Sequence, residues 1–250
     1  MIDHTTTFVL TSTILAAMTA LFLLWTRRLE AGSRRLGYAA VAACGVMSLT
    51  YLLMAAGVLT VSTTGRDESV ARFLGYSVAW GAVVSVIGLI SGAERRYTLT
   101  LLGGILLSLW ATVGSWILGG TAGTVVSLAI VAGVGVMGVT LYGPLARQAQ
   151  TVSSERTLLY GRLRNLTVLV FVGLLATGML SAQNLAFTDA FVGQTLATYL
   201  DIVWLAGFGM LVLRSTDALA DAGDDQHARA AVNSSSSTGS ATSGTAHSAD

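Results

Sequence analysis

Seven apolar stretches, at approximately 8–26, 37–62, 69–91, 97–118, 124–146, 166–187 and 191–213, divide the chain. Each is close to the ~20 residues a helix needs to cross a bilayer. The glycines and threonines inside them argue little against helix, because small residues are common where membrane helices pack closely. Gly133, Gly135 and Gly138 in the fifth stretch are read as such packing positions. The pattern predicts an all-α membrane protein, a bundle of seven transmembrane helices.

The connections set the expected orientation. Arg27, Arg28, Arg34 and Arg35 follow the first span; Arg95 and Arg96 follow the third. Arg147, Arg156, Arg162 and Arg164 follow the fifth, and Arg214 follows the seventh. The alternate connections carry little: Arg66 beside Asp67 and Glu68, then nothing charged, then Asp189. The positive-inside rule therefore places the N-terminus outside and the C-terminus in the cytoplasm, and the arginine clusters read as anchors facing anionic headgroups. No basic region or cleavage site precedes the first span, so it is expected to be retained rather than removed as a signal peptide. The expected organisation is a membrane domain over 1–215 and a disordered, acidic, Ser/Thr-rich cytoplasmic tail over 216–250, too poor in apolar residues to offset chain entropy.

Composition agrees with a multi-pass protein of the cell membrane. The 250 residues are 53% hydrophobic and 11% charged, against about 25% charged in soluble domains. Mean hydropathy is +0.70. The single cysteine, Cys44, lies in an apolar run and gives neither a disulfide framework nor a zinc-ligand spacing; it reads as a buried structural thiol. His4, His227 and His247 lie near the termini, so no histidine is expected in the core. No pair of core groups offers acid–base or nucleophilic chemistry, which points away from an enzyme. Nothing suggests a nucleic-acid partner.

One ionisable residue stands well inside a span. Asp201, in Thr198-Tyr-Leu-Asp-Ile-Val-Trp-Leu-Ala-Gly-Phe-Gly-Met-Leu-Val-Leu-Arg-Ser215, is costly there and is a functional-site candidate for that reason. This run resembles the seventh helix of the microbial (type I, archaeal bacteriorhodopsin-like) rhodopsins. Three further stretches carry the likeness. Ala71-Arg72-Phe73 opens the third span, Leu163-Arg164-Asn165-Leu166-Thr167-Val168 opens the sixth, and Met47-Ser48-Leu49-Thr50-Tyr51 lies in the second. The resemblance implies that Tyr51 bonds to Asp201, and it covers the chain from the first span to Ser215.

The departures from the family pattern decide what function to expect. Where the family has the lysine that holds retinal as a Schiff base, this chain has Leu205, preceded by Trp204, and there is no lysine anywhere in the chain. The resemblance therefore implies a retinal-free homologue with no covalent cofactor. Gly75 stands at the proton-acceptor position and Val86 near the donor position. The walls of the implied retinal pocket are degenerate. Tyr76, Phe171, Leu174 and Gly178 replace larger aromatics, whereas Trp80 and Trp204 replace small residues and are expected to fill space that retinal needs. The family's helix prolines are missing at Cys44, Gly81 and Leu175, and the only proline is Pro144, so kinks are less expected.

What remains is a polar set: Tyr51, Arg72 and Asp201. By helical rise Tyr51 and Asp201 sit at similar depth, and Arg72 is long enough to reach Asp201 directly or through water. A buried ion pair that fixes helix register is one reading; a remnant ion or proton site is the other. Tyr199, Trp116 and Trp25 read as interface aromatics. Three functions stay open. The first is an interaction or regulatory role without photochemistry, with membrane lipids around it and another membrane protein or a carotenoid-pathway protein as partner, and with homo-oligomers also open. The second is passive or secondary ion transport through Asp201 and Arg72, for which the inner half supplies few polar groups, since Thr177, Ser181 and Gln183 of the sixth span lie toward the outside. The third is light sensing by non-covalent retinal or carotenoid.

Overall fold

A computed structural model describes residues 4–63, 67–181 and 184–222. Its elements are α1 (His4–Thr26), α2 (Arg34–Ala55), β1 (Thr60–Ser62), β2 (Asp67–Ser69), α3 (Val70–Ile90), α4 (Arg95–Leu118), α5 (Gly120–Tyr142), α6 (Pro144–Ala149), α7 (Ser154–Leu180) and α8 (Ala190–Arg214). Among the described residues, seven helices are long and apolar enough to span a membrane, the fifth running through α5 and α6. Many side chains on their outer faces are large and apolar, Val139 and Leu128 among them. That is the inverse of a soluble bundle and suits a hydrocarbon surround.

Hydropathy misplaced several ends. The second span stops at Ala55, and residues expected to continue it form β1, paired antiparallel with β2 in the register Val61↔Glu68. The sixth span, α7, begins at Ser154 rather than 166, because its first three turns are polar but still helical, and it ends at Leu180 rather than 187. Pro144 occupies the first turn of α6, where its missing N–H costs nothing. Asp189 caps α8, its carboxylate accepting from the Val192 N–H at 2.7 Å. After a break at Ser215 the chain is helical again over 216–222 and buries Ala218, Leu219 and Ala222 in the core. The boundary drawn at 215 is therefore too early. The rest of the expected tail, with His227 and His247, lies outside the described residues.

Small residues and hydroxyls set the closest helix contacts, as expected where water does not drive association. Ser12 of α1 and Ser48 of α2 exchange bonds, each hydroxyl donating to the other's backbone carbonyl at 2.8 and 2.9 Å. On α4 and α5, Gly104 and Gly133 bring the backbones together, and the Ser108 hydroxyl donates to the Ile130 carbonyl at 3.0 Å. Gly135 and Gly138, also read as packing positions, face open space instead. Gly209 of α8 lies so close to the Phe22 ring of α1 that a methyl group there would overlap it. At Cys44, Gly81 and Leu175, where the family's prolines are missing, α2, α3 and α7 each continue without a break in helical hydrogen bonding.

Candidate functional site

Asp201 lies at the centre of the bundle with no exposed surface. The β-hairpin leads directly into α3, so Arg72 and Tyr76, four residues apart on one face, both point at α8 from the hairpin end. The Tyr51 hydroxyl of α2 donates to Asp201 Oδ2 at 2.5 Å, and the Tyr76 hydroxyl approaches both carboxylate oxygens at 2.8 and 2.9 Å. Arg72 Nη2 reaches Oδ2 at 3.2 Å, a direct ion pair without an intervening water. The guanidinium also donates to both phenol oxygens, from Nη2 to Tyr51 at 3.2 Å and from Nε to Tyr76 at 3.1 Å. Its carbon lies 5.5 Å from the Tyr76 ring centre and 5.9 Å from that of Tyr51, within cation–π range. Both charges are thus paired and hydrogen-bonded, which is what allows an ion pair to sit in so apolar a place.

The structure brings together the expected trio and adds Tyr76, which the sequence reading had placed among the pocket walls. Its spacing from Arg72, one helical turn on, was the signal for it.

Beside this cluster, Leu205 and Trp204 are fully buried. The Trp204 indole stacks on Trp80 with ring centres 4.1 Å apart and an interplanar angle of 28°, and Phe171 meets Trp80 edge-on at 5.9 Å. The two indoles pack against each other inside the buried core. Trp204 Nε1 finds no hydrogen-bond partner among the described residues. Gly75 is equally constrained: a Cβ there would run into the Thr50 side chain of α2, so the position has no room for a carboxylate. Val86 and Cys44 are buried and apolar in their surroundings.

The pocket is not filled throughout, however. Outward from Trp80 a cavity of about 550 Å³ runs towards the hairpin end, walled by α3, α4, α5, α7 and α8. Tyr76, Trp80, Phe171, Leu174 and Gly178 all line it, so the thinned aromatic wall has left a void rather than a collapsed core. Thr177 and Ser181 also line it, each hydroxyl bonded to a carbonyl of α7; Gln183 lies outside the described residues.

Three side chains sit elsewhere than expected. Trp116, read as an interface aromatic, is buried against the Phe73 ring and lines the cavity. Tyr199 is exposed as that reading required, and Trp25 is half-buried. Arg156, taken for a loop arginine, is only 3% exposed and donates to the last carbonyls of α3, Ile90 at 3.0 Å and Leu89 at 2.8 Å. Glu68, taken for a loop acid, is buried at the cavity mouth beside Arg72; strand pairing turned it inward.

A seven-helix membrane bundle with an Asp–Arg–Tyr cluster between its second, third and last spans defines the class of protein. The family model for bacteriorhodopsin-like protein matches residues 3–219, and the chain belongs to that family. It is 30% identical over 196 residues to sensory rhodopsin-2 of Natronomonas pharaonis, covering 75% of this chain and 79% of the relative. Sensory rhodopsin-2 of Haloarcula vallismortis is 28% identical over 197 residues, covering 77% and 82% respectively. Among solved structures, the thermophilic rhodopsin of Rubrobacter xylanophilus superposes with a TM-score of 0.83 at 17% identity, over 89% of this chain and all of that one. The chain is therefore a multi-pass membrane protein of the microbial rhodopsin family.

Proposed function

We propose that this chain is a rhodopsin-family protein that performs no retinal photochemistry and acts through interaction, as a membrane-embedded regulatory or partner-binding bundle. The observation that carries the proposal is the buried, stacked indole pair Trp80–Trp204, beside Leu205 in sequence, which stands where the family's lysine would. No side chain of this chain forms a Schiff base, and the attachment end of the pocket is occupied. Orientation follows the arginine distribution: the hairpin end outside and the arginine-rich end in the cytoplasm. The partner is another membrane protein or a protein of carotenoid metabolism, and we assign no enzymatic activity.

Ion transport through Asp201 and Arg72 finds less support. The carboxylate is tied to three donors already. Inward of it lie Val83, Val86, Ile87 and Ile90, all buried, and Arg156 closes the end of α3. That route has few groups to replace an ion's hydration shell. A non-covalent ligand is favoured by one observation, the cavity beside Trp80.

Light-dependent and dark ion flux in vesicles holding the purified, retinal-treated protein tests the main proposal. The expected result is a pH trace that illumination leaves unchanged and a dark leak equal to that of empty vesicles. Flux above that level would refute it.

A further inference from the structure

We propose that the cavity beside Trp80 holds the hydrocarbon tail of a bilayer lipid, which enters sideways between α5 and α7 from the leaflet at the hairpin end. The proposal rests on the reading that the attachment end of the pocket is closed to retinal, and it adds what occupies the remaining space.

Three features of the cavity point to this occupant. The first is access. α5 packs along α4 and α7 along α8, and the cavity lies between these two pairs. Val131, Met179 and Leu185 line it and are also 70, 53 and 56% exposed on the outside of the bundle, so the opening faces the surround of the helices. A ligand arriving there comes from lipid, not from water.

The second is polarity. The deep end is formed by Trp80, Phe171 and Val134, whereas the end near the hairpin carries Glu68, Arg72, Ser181 and Asn184. An amphiphile with its tail inward and its polar group at the hairpin end matches that gradient. Hydroxyls along the wall do not oppose it, since Thr112, Ser127 and Thr177 already donate to carbonyls of their own helices.

The third is size. From Phe171 to Ser181 the wall of α7 rises about 15 Å at 1.5 Å per residue, which is half of the ~30 Å hydrocarbon thickness and so the depth of one leaflet's tails. A volume of about 550 Å³ falls in the usual range for a small-molecule site, about 300–1,000 Å³.

The shared chemistry is an extended saturated or singly unsaturated chain, whether acyl or isoprenyl. The test uses the full chain in mild detergent and cis-parinaric acid, a fluorescent fatty acid excited by energy transfer from tryptophan. Trp80 and Trp116 line the cavity and report on it. The expected result is a saturable, stoichiometric component that unlabelled oleic acid displaces if the site takes acyl chains and phytanic acid displaces if it takes isoprenyl chains. Gly178→Trp places an indole in the cavity, and Thr112→Phe does so from the opposite wall in case the first variant does not fold. Each folded variant is expected to weaken the saturable component at least tenfold, while Leu128→Trp on the exposed face of α5 leaves it unchanged. Purely linear partitioning, or saturable binding untouched by a folded cavity-filling variant, would overturn the proposal. So would displacement by all-trans retinal with neither fatty acid competing. A visible retinal band would overturn the functional reading instead, so the two failures are distinguishable.

Discussion

Replacing Arg72 by Met, and then Asp201 by Asn in that background, is expected to reverse the sign of the second substitution. In the native protein Asp201→Asn removes the partner of a guanidinium and destabilises. In Arg72→Met, Asp201 keeps the Tyr51 and Tyr76 hydroxyls but loses its one counter-charge among the described residues. Breaking a buried pair from one side costs about 3–5 kcal/mol. The two charge-assisted phenol bonds that remain, at 2.5 and 2.8 Å, put the loss at the lower end, ~3 kcal/mol. The Asn side chain fits the same space, accepts from both phenols and carries no charge to leave unpaired. It should therefore recover ~2 kcal/mol of the loss. The single Asp201→Asn should cost less than Arg72→Met, because Arg72 borders the cavity and its freed guanidinium has space to turn into, whereas Asp201 has none. Equilibrium unfolding of all four proteins in mixed dodecyl maltoside and SDS micelles gives the coupling energy directly. Additive losses in the double variant would refute the argument that the pair acts as one unit, since independent sites add.

Two other perturbations probe the scaffold. Gly209→Ala should cost about 1–3 kcal/mol by overpacking against Phe22, and Phe22→Leu should restore part of it in the same unfolding assay; unchanged stability in Gly209→Ala would contradict the close approach of α1 and α8. Arg156→Ala leaves the Leu89 and Ile90 carbonyls without the guanidinium and should cost about 1–3 kcal/mol. Amide exchange near Gly92 should quicken selectively, and a uniform change across the bundle would argue against a local tie between α7 and α3.

Much of this was legible in the sequence because bilayer spans leave a strong hydropathy signal and because buried charges in them are rare enough to single out. Asp201 was found that way, while Arg72 and Tyr51 came from the family resemblance, and the three meet in the structure. Span ends were less legible. The residues from Ser154 to Asn165 are polar yet helical, so a hydropathy window begins the sixth span twelve residues late, about 18 Å by helical rise. Trp116 was misjudged because depth along a helix says nothing about which way a side chain faces. The resemblance placed Tyr76 in a pocket wall, and the same spot also faces Asp201. The thinned wall at Phe171, Leu174 and Gly178 was the sequence signal for the cavity, but it was outweighed by the expectation that Trp80 and Trp204 fill the space.

The absorption spectrum of the purified protein after addition of all-trans retinal, beside Leu205→Lys and Leu205→Lys combined with Trp80→Thr and Trp204→Ala, tests the central claim most directly. The account predicts no visible band in the native protein and none in Leu205→Lys alone, because the stacked indoles occupy the attachment end of the pocket. Retinal should be retained only when both indoles are removed along with the leucine. A visible band in the native protein would contradict the account, and one in Leu205→Lys alone would show that the indole pair does not close the pocket.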